Sequence, residues 1–224
     1  MITFEHVRKT FDSLVVLDDL DLRIAESEIV GIVGPSGVGK TTILKLITGI
    51  AAPDSGKVEV ADRRIGYVFQ EPRLLPWRTA QDNIAVVMRA QGMSKDGARQ
   101  AAGSWIERVG LQGFADYYPA ELSGGMAQRV SIARAFAAEP RILLMDEPFS
   151  NMDLELKGSL IGILQMIARE RKTTVVYVTH ELIEALQIAD RIVELTAERR
   201  LRELDLADRR KVALDWLSSS LGRL

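Results

Sequence analysis

The stretch EIVGIVGPSGVGKTT, residues 28–42, decides how the rest of the chain is read. Glu28-Ile-Val-Gly-Ile-Val33 is a short apolar run that reads as a buried strand. The next nine positions, Gly34, Pro35, Ser36, Gly37, Val38, Gly39, Lys40, Thr41 and Thr42, hold three glycines, one lysine and three hydroxyl side chains. Gly34, four residues, then Gly39-Lys40-Thr41 fits G-x-x-x-x-G-K-[ST], and a helical pattern from Thr41 to Thr48 follows. A strand, a glycine-rich loop and a helix in that order form a phosphate cradle. Backbone N–H groups and the helix dipole face the anion, Lys40 adds a point charge for the β/γ-phosphates, and the Thr41 hydroxyl is a Mg²⁺ ligand.

Outward from this loop, the 224 residues are 47% hydrophobic, enough for one large α/β domain. The net charge of −2 gives no broad attraction for nucleic acid, which is not expected as a partner. There is no cysteine, so disulfides and thiolate metal sites are excluded. The start, MITFEHVRKTF, carries charges where a secretory signal needs an apolar run, and no stretch approaches the roughly 20 apolar residues that span a bilayer. Membrane association is therefore expected to be peripheral or through a partner.

Apolar runs alternate with helical patterns in EIVGIVG, RILLMDEP, TTVVYVTH and RIVELT, the order of parallel strands with crossover helices. Residues 2–7, 13–24 and 56–60 alternate in polarity and read as an antiparallel sheet beside the parallel one. From about residue 71 to 120 helical patterns take over. The expected fold class is α/β: a P-loop NTPase core with a parallel sheet (1–70 and 121–203), an N-terminal antiparallel β-subdomain, an inserted α-helical subdomain (71–120) and a terminal helix (204–224).

A phosphate loop needs a metal-holding carboxylate, and Arg141-Ile-Leu-Leu-Met-Asp146-Glu147-Pro148 supplies two acids at the carboxyl end of a buried strand. Asp146 is placed to hold Mg²⁺, and Glu147 to orient or deprotonate water. His180 closes TTVVYVTH, where it serves either as a structural strand end or as a partner of the γ-phosphate and lytic water. Gln70 ends Arg64-Ile-Gly-Tyr-Val-Phe-Gln70, as a turn residue or with its amide on the metal. His6 is read as structural, in an edge strand without chemical neighbours. Leu122-Ser-Gly-Gly-Met-Ala-Gln-Arg-Val130 repeats the logic of the opening stretch. Ser123, Gly124 and Gly125 precede a strong helix and form either a plain cap or a second anion site that closes over nucleotide held by another copy.

In this order the motifs resemble the nucleotide-binding subunit of ATP-binding cassette (ABC) transporters, over residues 1 to about 201. The resemblance implies that residues 34–42 are the phosphate loop, Gln70 the glutamine loop, and 122–128 the signature. It implies Glu147 as catalytic glutamate, Ser150-Asn151-Met152-Asp153 as the D-loop with Asp153 at the ATP site, His180 as the switch histidine, and Phe11 as the aromatic that stacks on adenine. It further implies ATP hydrolysis with Mg²⁺ on Thr41, Gln70 and Asp146, an ATP-sandwich homodimer, and a peripheral position on the cytoplasmic membrane face. Met126 and Asn151-Met152 depart mildly from the usual signature and D-loop. The extra regulatory domain of some sugar-importer relatives is not expected.

Gln70-Glu-Pro-Arg-Leu-Leu-Pro-Trp77 looks like the nitrate, sulfonate and taurine importer ATPases, which implies a separate permease and, indirectly, a solute-binding protein. Leu75 and Trp77 read equally as core of the insertion or as a docking groove for a partner's helix. The alternatives are a soluble ABC-type ATPase acting on a non-membrane partner and the ATPase of an exporter. A non-hydrolysing module is disfavoured because Glu147 and His180 are both present.

Overall fold

Alternating burial along the N-terminal strands gives the first layer of the structure. The computed structural model describes residues 2–150, 152 and 154–221. Strands β1 (Ile2–Phe11), β2 (Leu14–Ile24) and β4 (Ser55–Val60) form an antiparallel sheet in the order β2-β1-β4. Ile2, Phe4, Leu20, Leu22 and Ile24 are buried while their polar neighbours face out, the expected half-buried pattern. Between β2 and β4 lie β3 (Ile29–Val33), buried throughout, and helix α1 (Lys40–Thr48).

After residue 63 the chain enters a second compact unit. Its elements are β5 (Ile65–Val68), α2 (Ala80–Ala90), α3 (Lys95–Arg108), a 3₁₀ turn at Pro119–Glu121, α4 (Gly124–Ala137), β6 (Ile142–Asp146) and α5 (Leu154–Arg171). The chain then supplies β7 (Thr174–Thr179), α6 (Leu182–Ile188), β8 (Arg191–Leu195), β9 (Leu201–Glu203) and α7 (Arg209–Leu221) to the first unit. The two units are Met1–Arg63 with Thr174–Leu224, and Arg64–Thr173.

In the first unit β3 runs parallel to both β7 and β8, and β9 pairs antiparallel with β8. Val33 stands opposite Thr179, so the phosphate loop and His180 leave the sheet from the same end. In the second unit β5 and β6 are parallel, with Val68 opposite Met145. Gln70 and the Asp146-Glu147 pair likewise share one carboxyl end. Sequence-distant residues are brought together in each unit by strand register alone.

The insertion's helices are capped from sequence. Thr79 accepts from the Asp82 N–H at 3.1 Å and Ser94 from the Gly97 N–H at 3.2 Å. Asp82 and Asp96 sit in the first turns, and Arg89 and Arg108 in the last, each matching the helix dipole. Ile84, Met88, Ala102, Trp105 and Ile106 are buried, and Trp105 stacks on Phe136 of α4 at 6.2 Å.

Two expectations are corrected here. The strand carrying His6 is the central strand of its sheet, because β4 pairs on the side opposite β2. His6 also has chemical neighbours: its Nδ1 lies 2.8 Å from Asp19 and 3.8 Å from Asp21. Cross-strand pairing created this cluster from residues 13 and 15 positions apart, a distance that spacing along the chain does not reveal. β9, a three-residue edge strand, was also invisible as a period.

Candidate functional site

The loop after β3 turns because its glycines permit it. Gly39 is the N-cap of α1 in the left-handed region at φ 117°, and a Cβ there would lie 2.5 Å from Val16 Cγ1. No side chain caps α1. A helix start left uncapped offers its N–H groups and dipole to an anion. Pro35, Ser36, Gly37 and Thr41 are exposed on the loop, whereas Gly34, Val38 and Thr42 are buried.

Lys40 folds back over this loop. Its Nζ donates to the Gly34 and Pro35 carbonyls, both at 2.9 Å, and the residue is 4% exposed. Two carbonyl dipoles thus help to solvate a buried ammonium at the loop. Arg199, in the turn between β8 and β9, donates to the Val38 carbonyl at 2.7 Å and fixes the loop's far side. Nothing in the sequence motif marks Arg199, which acts through tertiary placement.

Phe11 ends β1 with 45% of its surface exposed, and Lys9 Nζ lies 5.2 Å from its ring centroid. Lys9 is held by Asp54 at 2.7 Å, and Asp54 also accepts from the Thr10 N–H. Lys9 and Thr10 together hold the Asp54 carboxyl down at about 2. An exposed ring on an anchored strand end is a flat surface on which a base can stack. His180, directly after β7, is exposed at the sheet end it shares with the phosphate loop.

In the second unit Asp146 closes β6, and its Oδ2 accepts from the Tyr67 hydroxyl at 3.3 Å. Burial, then the Asp146 charge, push the Tyr67 phenol well above its usual value and keep it a donor. Glu147 is half-buried and lies in the left-handed region at φ 45°, rare for a residue with a Cβ. Its carbonyl accepts from the Ser150 N–H and hydroxyl, which helps to hold the turn. Gln70 is exposed at the end of the β5 segment.

The α4 start differs from that of α1. Ser123 is the N-cap, and its hydroxyl accepts from the Met126 N–H at 3.2 Å. Ser123 and Gly124 are exposed, and a Cβ on Gly124 would meet nothing within 4 Å. The same helix grips the loop that carries Gln70. Buried Gln128 donates to the Phe69 carbonyl at 3.1 Å, and Arg134 donates to the Pro72 and Arg73 carbonyls, each at 2.9 Å. Neither anchor is legible in the sequence as more than a helical residue.

Asn83 was also unmarked. It is fully buried and ties the Leu75–Thr79 turn: it accepts from the Leu75 N–H at 2.7 Å and donates to the Leu75, Arg78 and Thr79 carbonyls. Trp77 on that turn is 69% exposed, which removes it from the core and leaves Leu75 half-buried. Of the D-loop, Asn151 and Asp153 lie outside the described residues.

An uncapped helix start behind a glycine-rich loop, with a buried lysine and two strand-end acids elsewhere in the chain, defines a phosphate-loop nucleotide-binding protein. A family model described as ABC transporter matches residues 17–150. The aliphatic sulfonates import ATP-binding protein SsuB 1 of Pseudomonas savastanoi is 44% identical over 188 residues, covering 83% of this chain and 76% of that protein. The Fe(3+) ions import ATP-binding protein FbpC of Agrobacterium fabrum is 40% identical over 202 residues, covering 86% of this chain and 57% of that protein. A solved dimeric ATP-binding cassette in a post-hydrolysis state, bound to ADP and Pi, matches with TM-score 0.83 at 33% identity, over 92% of this chain and 99% of that one. The chain belongs to the ABC transporter family, with the fold of its ATP-binding cassette, and is an ATPase.

Proposed function

We propose that this chain is the ATP-hydrolysing subunit of an importer for a small anionic solute of the nitrate, sulfonate or taurine kind, working with a separate membrane permease and a solute-binding protein. The observation that carries the ATPase mechanism is the β3–β7 register, with Val33 opposite Thr179, which sets the phosphate loop and His180 at one sheet end. The importer reading is supported by the similarity to ATP-binding proteins named for sulfonate and Fe(3+) import. Relatives of near-equal identity carry names for unlike cargoes, which fits a cassette that drives transport and leaves cargo choice to its partners. Among the described residues no helix is long and apolar enough to cross a membrane.

The residue roles follow from chemistry. The loop N–H groups, Lys40, Ser36 and Thr42 bind the phosphates, and Phe11 stacks on the base. Asp146, Gln70 and Thr41 carry carboxylate, amide and hydroxyl oxygens, the donor types that a hard cation such as Mg²⁺ takes, and that cation would screen phosphate charge. Glu147 takes a proton from the attacking water, and His180 hydrogen-bonds the γ-phosphate. Ser123, Gly124, Gly125 and Asp153 close over ATP held by a second copy. The open space at Gly124 supports this closure, since no packing within the chain calls for glycine there. Exposed Trp77, on a turn clasped by Asn83, is the contact offered to the permease.

Purification of the tagged chain from native membranes in mild detergent, with mass spectrometry of what accompanies it, tests the proposal. A multi-span permease and its binding protein are expected. Ribosomal or DNA-bound proteins in their place would overturn the importer reading and leave the ATPase standing.

A further inference from the structure

His180 sits between two residues that are tied to each other. The Thr179 hydroxyl accepts from the Glu181 N–H at 3.0 Å, a bond that spans His180 and fixes the turn at the end of β7. The same hydroxyl donates to Glu184 Oε2 at 3.0 Å. Tyr177, two residues back and therefore on the same face of the strand, donates its phenol to that same oxygen. Thr179, Tyr177 and Glu184 are respectively 2%, 0% and 4% exposed. Two hydroxyls thus converge on one oxygen of a buried carboxylate. Burial, then the Glu184 charge, hold the Tyr177 phenol well above its usual value, so it stays a donor.

The carboxylate is itself anchored. Glu184 belongs to the first turn of α6, and α6 is pressed on β3: a Cβ on Gly31 would lie 3.2 Å from the Cβ atoms of both Ala185 and Ala189. β3 is the strand that delivers the phosphate loop. A continuous set of contacts therefore runs from β3 through α6 and Glu184 to Thr179, and ends at the backbone on either side of His180.

We propose that Thr179 and Glu184 are positioning residues for His180, holding its imidazole in register with the phosphate loop through the buried hydroxyl–carboxylate cluster. This rests on the role proposed above for His180. Both residues are buried and neither is among those proposed above to bind nucleotide, so the consequence of disturbing them is a misplaced imidazole. A misplacement on the order of 1 Å costs up to about a hundredfold in rate.

The test is a double-mutant cycle on the full chain. Thr179→Val is isosteric but removes both the donor and the acceptor. Its kcat for ATP hydrolysis is expected to fall about tenfold or more, with KM for ATP little changed. His180→Ala is expected to fall further. The double variant is expected to match His180→Ala, because a residue that acts only through His180 has nothing left to position. Single-turnover measurement with enzyme in excess gives the residual rates. Glu184→Gln keeps an acceptor for the two hydroxyls and is expected to retain more turnover than Glu184→Ala, and this pair serves if Thr179→Val does not fold. Wild-type kcat in Thr179→Val, or a Thr179→Val loss that persists in full without His180, overturns the positioning role while leaving His180 in place. Wild-type turnover in His180→Ala instead removes the role of His180 itself.

Discussion

The starts of α1 and α4 are both glycine-rich helix N-termini, and they are finished in opposite ways. At α1 no side chain caps the helix, Gly39 is forced by the approach of Val16, and Lys40 is buried on loop carbonyls. At α4 the helix satisfies itself through Ser123, and Gly124 faces open space. The first start has its ligand chemistry built into the chain that carries it. The second is capped within the chain, and its exposed glycine is the feature on which the proposed closure by a second copy rests. The difference teaches that a helix dipole alone does not make a phosphate site: backbone strain, a buried cation and an absent cap do.

The largest expected effect comes from Glu147, the residue proposed to activate the attacking water. Glu147→Gln should lower phosphate release by about a hundredfold or more while leaving ATP affinity nearly intact. Undiminished turnover would remove Glu147 from the water-activating role. Next, Lys40→Ala should weaken ATP binding by roughly ten- to a hundredfold, the value of a charged hydrogen bond, whereas Ser123→Ala should leave the affinity of a single chain unchanged. Equal losses in the two titrations would erase the distinction between the helix starts.

The two glycines sharpen the comparison at the level of stability. Gly39→Ala places a Cβ against Val16 in a left-handed backbone, at a cost of about 1–2 kcal/mol before the clash, so Tm should fall by several degrees. Gly124→Ala should leave Tm unchanged and lower turnover, because only the approach of a second copy is obstructed. A large drop in Tm for Gly124→Ala would show that packing within the chain already requires glycine. The smallest effect is a control in the antiparallel sheet, at a residue that belongs to neither helix start. Asp19 and Asp21 raise the His6 pKa above 6.5, mainly through the Asp19 hydrogen bond. That stabilisation is fully present below pH 6.5 and is lost as pH rises through the folded value. His6→Gln should therefore lower Tm slightly at about pH 5.5 and leave it unaltered at about pH 9. A loss of Tm that is equal at both pH values would contradict the ion-pair origin.

The legible parts of the chain were those where chemistry needs residue types at fixed spacing. The phosphate loop, the acids after Ile142-Leu-Leu-Met145 and the histidine after β7 could be read because buried strands lack alternation and their ends collect polar groups. The helical patterns that take over from about residue 71 to 120 correspond to α2 and α3, which the structure caps with Thr79 and Ser94. What could not be read was carried by long-range register. His6 meets Asp19 across strands, Arg199 reaches Val38 from another turn, and Gln128 and Arg134 hold carbonyls about 60 positions away. None of these pairings has a spacing signal, because the fold creates the proximity. Trp77 shows a further limit, since its apolar character fits core and contact surface equally and only its exposure separates them.

The most direct test of the account is the molar mass of Glu147→Gln in solution, measured by light scattering after size exclusion, with and without saturating ATP. The account predicts a monomer without nucleotide and a dimer with it, and a return to monomer when Gly124→Ala is added. A Glu147→Gln chain that binds ATP by titration yet stays monomeric at saturation would contradict the claim that the α4 start of a second copy closes the site.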